Sequence, residues 1–169
     1  MRLKFISGIL AAAIFGLSGC GDDGKAKNSG SFTTAAAQGG MVEVKLGNLA
    51  LAKSENADVK RFAEMMIADH TRANNDLKEI AAGKSVALPT EINDEQKSQL
   101  DKLSKYSGAE FDKEYVKAMI EDHEKDVKEF QVQADSGTDA DVKAFAARTL
   151  PTLKNHLGMI KGIKEKMIK

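Results

Sequence analysis

The stretch Phe62-Ala63-Glu64-Met65-Met66-Ile67-Ala68-Asp69-His70 decides the fold. Around it Val59, Phe62, Ala63, Met66, His70, Ala73, Leu77 and Ile80 recur at spacings of three and four, the period of one face of a helix. The pattern predicts a long amphipathic helix from a cap at Asn56 or Asp58 to about Ala82, ended by Gly83. His70 points the same way as the apolar residues. The chain has three histidines, and His123 and His156 sit likewise on the apolar faces of two other helical patterns.

One of those patterns starts near Ala109 and carries Phe111, Tyr115, Val116, Met119, Ile120, His123, Val127, Phe130 and Ala134. The other starts at about Asp139 and carries Val142, Phe145, Thr149, Leu153, His156, Ile160 and Ile163. Pro151 lies inside it and is expected to bend it, because its ring displaces the backbone bond to Ala147. A first helix is expected from about Phe32 to Ser54, with a face made by Ala35, Ala36, Ala37, Met41, Val44 and Leu46. Gly39, Gly40 and Gly47 thin this helix at a cost in stability. They mark close approach of another helix or a ligand, or they are merely tolerated.

Between the second and third long helices, Ser85 to Thr90 is a break containing Pro89, and a short helix follows from about Asp94 to Tyr106. There is also an internal echo. Ala57-Asp58-Val59-Lys60-Arg61-Phe62-Ala63 opens one helix and Ala140-Asp141-Val142-Lys143-Ala144-Phe145-Ala146 opens another, each with a histidine downstream on the Phe face. Two related hairpins joined by a longer connection follow from this. The predicted fold is all-α, a ferritin-like four-helix bundle with a long crossover carrying a short extra helix.

Depth along the bundle brings four polar residues together. At about 1.5 Å of rise per residue, Glu43 and His70 differ in level by roughly 5 Å, and His123 and His156 by roughly 7 Å. A mid-bundle layer of Glu43, His70, His123 and His156 is therefore the candidate metal site. One carboxylate with three imidazoles suits zinc, copper, manganese or iron. Asp69, Glu121, Asp122 and Glu124 flank the histidines as candidates to orient the rings, although neighbours on a helix point in different directions. A di-iron centre is not expected. Bundle di-iron sites use Glu-x-x-His, whereas Ile67, Ile120 and Leu153 stand three before the histidines here. Met66, Met119 and Met159 share their histidines' faces and offer a soft alternative suited to Cu(I), or they fill gaps in the core.

Lys+Arg and Asp+Glu balance at 25 each, and no helix gathers a basic face, so nucleic acid is not an expected partner. Residues 1–19 read as a signal peptide, with Arg2 and Lys4 before an apolar run from Phe5 to Leu17. Leu17-Ser18-Gly19-Cys20 resembles the bacterial lipobox, which implies cleavage before Cys20 and its lipidation. Cleavage would remove Arg2 and Lys4, leaving 23 basic against 25 acidic residues. The membrane is then a partner through the lipid anchor. Residues 20–31, small and polar, are expected to be a flexible tether, and 32–169 the bundle. The expected location is the cell envelope, facing the periplasm, with the outer membrane favoured because no Asp directly follows Cys20.

The run 36–50, Ala-Ala-Gln-Gly-Gly-Met-Val-Glu-Val-Lys-Leu-Gly-Asn-Leu-Ala, and 62–71, Phe-Ala-Glu-Met-Met-Ile-Ala-Asp-His-Thr, carry a wider resemblance. So do Phe111 to Val116, His123, and Leu150-Pro151 through His156-Leu157. Over about residues 32–163 the chain resembles a secreted bacterial family known as domain of unknown function 4142, often labelled a predicted outer-membrane protein. The resemblance implies a ferritin-like bundle facing the periplasm and no established activity. Two readings stay open: a bundle binding one transition metal ion, or a structural or envelope-stress module that meets an envelope protein partner. An enzyme is the least supported class, since no nucleophile triad, phosphate loop or zinc-protease motif is present.

Overall fold

The computed structural model describes residues 23–168, so the leader and Cys20 lie outside the described residues. Among the described residues the chain forms five helices: α1 (Asp23–Lys53), α2 (Ala57–Gly83), α3 (Asp94–Ser104), α4 (Gly108–Ser136) and α5 (Ala140–Met167). Helix α1 starts at Asp23 rather than Phe32, inside the segment expected to be a tether.

The two echoed heptapeptides are built alike. The Asn56 side chain accepts from the backbone N–H groups of Asp58 and Val59, and Asp139 does the same for Asp141 and Val142. Such caps satisfy donors that a helix start leaves open and contribute about 1 kcal/mol each. Helices α1 and α2 pack as one hairpin, α4 and α5 as the other, and the hairpins meet through α2 against α5 and α1 against α4. Lys84, just past α2, bonds Asp139 at 3.0 Å and Asp141 at 2.7 Å, so the end of α2 meets the start of α5. At the other end Lys166 of α5 bonds Asp58 of α2 at 3.0 Å, and Gly108 opens α4 beside Glu55. The segment from 84 to 107 therefore runs the length of the bundle, making α2 and α4 parallel. This is the single-crossover connectivity that the sequence predicts. Helix α3 rides on the crossover, held by a capping box between Asn93 and Gln96 and by buried Ile92 and Leu103.

The core comes in two parts. One cluster includes Leu46, Phe62, Met66, Tyr115, Met119 and Ile160, and the other Phe32, Leu77, Phe130, Phe145 and Leu153. Along α2, α4 and α5 the histidine falls between members of the two clusters, so a polar layer separates two apolar ones. The predicted faces of α2, α4 and α5 are largely the buried ones. The face of α1 is corrected: Phe32, Ala37, Val42, Leu46 and Ala50 point inward, while Met41 and Val44 are half-buried and line a groove beneath the crossover. Pro151 is exposed within α5, as is Ala147.

Of Gly39, Gly40 and Gly47, two mark close helix packing. A Cβ at Gly47 would lie 2.8 Å from Cγ1 of Ile67 and 3.2 Å from the Ala63 carbonyl oxygen, and one at Gly40 would collide with Asn74. At Gly39 an added Cβ meets nothing within 4 Å. Gly39→Ala should therefore stabilise the protein by about 1 kcal/mol through helix propensity alone. Gly47→Ala should destabilise it, because α1 and α2 must separate. Urea denaturation of both variants tests this, and equal gains would contradict the packing account.

Candidate metal centre

Glu43 of α1, His70 of α2, His123 of α4 and His156 of α5 converge in the layer between the two apolar clusters. His123 and His156 are wholly buried, and His70 and Glu43 nearly so. Ring centroids lie 5.4 Å apart for His70–His156 and His123–His156, and 5.9 Å for His70–His123. Phe62 packs edge-on against His123 and His156 at 6.3 and 6.1 Å, closing one side with hydrocarbon.

Hydrogen bonds fix which nitrogen of each ring carries a proton. His123 Nδ1 lies 2.9 Å from the Met119 carbonyl oxygen, and a carbonyl only accepts, so Nδ1 donates and Nε2 is bare. His156 Nε2 donates to Asp69 Oδ2 at 3.0 Å, leaving Nδ1 bare. His70 Nδ1 donates to Glu43 Oε2 at 2.9 Å, and its Nε2 has no hydrogen-bond partner. The bare His123 Nε2 and His156 Nδ1 face each other at 3.4 Å. Two lone pairs confront one another there with neither donating, and the Nε2 of His70 stands without a partner.

Charge states follow from burial and neighbours. Burial pushes His156 down to about 4, with the charged forms of His70 and His123 acting the same way and the Asp69 hydrogen bond opposing. Burial also lowers His123, against the pull of Glu43. His70 is different. Burial opposes its charged form, but the Glu43 carboxylate more than offsets this and holds it above the usual value. Burial disfavours a charged Glu43 as well, yet attraction to His70 and His123 keeps it below the ordinary carboxylate range.

Each predicted residue now has a place. One ligand atom from each of His70, His123 and His156 lies within 4.8 Å of the other two. Glu43 joins the layer by orienting His70 rather than by standing in this cluster. Asp69 does orient a ring, but that of His156 across the helix interface instead of its sequence neighbour His70. Asp122 accepts from Gln99 of α3 at 2.8 Å, with burial first raising its carboxyl to about 6, and Glu124 pairs with Lys161 at 2.6 Å. The Met alternative loses a member. Met66 and Met119 are buried, but Met159 is 40% exposed and accepts from Asn155 on the outer surface. Ile67, where a bridging carboxylate would stand, packs toward Gly47. The sequence reading missed the role of the Met119 carbonyl, which no residue pattern signals. It also missed half-buried Asp126, three residues past His123 and one helical turn on.

Three imidazoles, each anchored through one nitrogen and presenting the other once His70 has shed its second proton, form the arrangement by which proteins hold transition metals. Nitrogens sharing one ion at about 2.0 Å stand roughly 3.5 Å apart, so the rings need only small side-chain shifts to close on it.

None of the curated proteins compared with this chain matches its sequence. Several solved structures share its fold. A DUF305 fragment from Deinococcus radiodurans is 14% identical with a TM-score of 0.73, covering 82% of this chain and 96% of that one. A putative secreted DUF305 protein from Streptomyces coelicolor is 11% identical with a TM-score of 0.71, covering 83% and 93%. CopM in its Cu(I)-bound form is 18% identical with a TM-score of 0.68, covering 82% and 96%. Among the described residues no helix is long and apolar enough to cross a membrane. The family model for the domain of unknown function DUF4142 matches residues 19–163, and the chain belongs to that family.

Proposed function

We propose that this protein binds one transition-metal ion, copper in preference to zinc, through His70, His123 and His156, and holds it at the cell envelope. The observation that carries the reading is the set of three buried imidazole nitrogens, two bare and face to face at 3.4 Å and one, on His70, without a hydrogen-bond partner. Buried polar atoms rarely go without partners, and a metal ion satisfies all three at once. Imidazole ligands suit copper and zinc, and neither needs the bridging carboxylates that a di-iron centre takes from its helices. The Cu(I)-bound form of CopM, a bundle of the same fold, supports copper. The lipobox-like Leu17-Ser18-Gly19-Cys20 supports a lipid anchor on the periplasmic side, favouring the outer membrane.

A second reading treats the layer as a polar device that fixes helix register, in a structural or interaction module with an envelope partner. The buried His70–Glu43 and His156–Asp69 bonds favour it, since each joins two helices. The readings separate on stability. If the layer is only structural, His70→Ala lowers the melting temperature by the same amount with and without metal.

Under the metal reading, dialysis against copper, zinc, manganese and iron should leave one equivalent of copper bound, and His70→Ala or His123→Ala should abolish it. Asp69→Asn should weaken binding about 10–100-fold, because it frees the His156 ring to turn. Occupancy well below one for all four metals, or binding indifferent to these substitutions, would overturn the reading.

Proton release gives an independent test. His70 is held above 6.5, so below that raised value its ring carries two protons and a metal at Nε2 must displace one. Affinity should therefore rise with pH through the His70 pKa and level off above it. Calorimetry in buffers of different ionisation enthalpy should find more than half a proton released at pH 6.5, since the raised pKa keeps the ring more than half protonated there. In Glu43→Gln burial alone governs the ring, its pKa drops below the usual value, and the release at pH 6.5 should shrink.

A further inference from the structure

His123 and His156 are sealed from solvent, so a metal needs a route to them. The structure offers one on the face between α1, α3 and α4. A groove of about 380 Å³ opens there, with Glu43, Glu95, Glu121, Asp122, Asp126 and Glu129 among its lining residues and Lys125 as a cation. Beneath it, a small cavity of about 30 Å³ is lined by His70, Glu43, Asp126, Glu129, Gly39 and Thr149, room for about one water molecule. Glu43, Gly39, Asp126 and Glu129 line both spaces, which sets the two side by side.

We infer that this acidic groove is the loading route of the metal centre, drawing a cation from solvent past Asp126 and Glu129 to Glu43, which hands it to His70. Two independent observations point this way. Glu43 is 2% exposed, and its Oε1 makes no hydrogen bond, standing 3.5 Å from a His123 Nδ1 already committed to the Met119 carbonyl. A nearly buried carboxylate oxygen thus lies where groove and centre meet. Gly39 lies over the same passage, and an added Cβ there meets nothing within 4 Å, so the glycine leaves the way open.

The electrostatics agree. Burial first, and then the charges of Glu43, Asp122 and Glu129, push the Asp126 carboxyl well above its ordinary range against the pull of Lys125, a sign of negative charge that Lys125 does not offset. A cleft lined by one sign of charge concentrates counter-ions and raises their capture rate. At Glu43 the ion meets the carboxylate that already holds His70, and the unpartnered His70 Nε2 is the first nitrogen on its path. The ion crosses without oxidation or reduction, exchanging water for carboxylate oxygen and then for imidazole nitrogen.

The inference rests on the metal reading above, and one experiment separates their failures. Cuprous ion, supplied anaerobically as its acetonitrile complex, is mixed rapidly with tag-free mature protein, quenched with a strong chelator and counted, while dialysis gives the final occupancy. Wild type should load quickly, and more slowly as salt is raised. Asp126→Asn with Glu129→Gln should load about tenfold more slowly and lose most of the salt dependence. Gly39→Leu, which places bulk in the passage, should slow loading and release alike while final occupancy stays at one. Gly39→Ala is the milder version if leucine disturbs α1. Glu64→Gln and Glu79→Gln, exposed acids on α2 outside the groove, should load as wild type does. Wild type that takes up no copper overturns the metal reading and this route with it. Wild type that binds copper, with groove variants loading as fast as the α2 controls, overturns the route alone.

Discussion

The bond between the Glu43 carboxylate and the His70 ring, 2.9 Å long and nearly out of reach of water, is the constraint on which the rest of the layer depends. A carboxylate this deep is costly unless partnered. His70 supplies the partner and takes a raised pKa in return, while Glu43 is held charged. The same bond ties α1 to α2 at one height and turns the His70 ring so that Nε2, not Nδ1, faces inward. Gly40 and Gly47 let α1 approach α2 closely enough for the bond to form.

The other two rings are set by different means toward the same end. His123 is locked by a carbonyl of its own helix one turn back, at Met119, and His156 by Asp69 reaching over from α2. One nitrogen of each ring is thus anchored, and the other three are left to each other. A layer selected only for register would gain more from a donor opposite each acceptor. Sandwiching it between two apolar clusters, with Phe62 edge-on to two of the rings, strengthens each electrostatic interaction and makes an unsatisfied nitrogen expensive. Metal affinity and the cost of the layer have one physical origin.

Much of this was legible in the sequence because helical periodicity is a strong signal. The faces of α2, α4 and α5, the capped starts at Asn56 and Asp139, and the long crossover could be read from spacing and turn residues. The convergence of His70, His123 and His156 followed from counting rise per residue, even though the counted levels differed by more than the rings do. What was not legible depended on rotation about helix axes and on contacts between helices. The face of α1 carries alanines and glycines almost all round, so Met41 and Val44 were read beside Leu46 where Val42 and Ala50 in fact share its face. Met159 lies three residues past His156, near enough to share its face on a helical wheel, yet it is exposed in the structure. Asp69 looked misdirected because its partner is on α5, and spacing within one chain segment cannot report a bond between two.

The most direct test of the central claim is X-ray absorption at the copper edge of the loaded mature protein. Three imidazole nitrogens at one distance, with no sulfur scatterer, is the result this account predicts. A shell containing thioether sulfur from Met66 or Met119, or a first shell of oxygen from adventitious surface carboxylates, would contradict it.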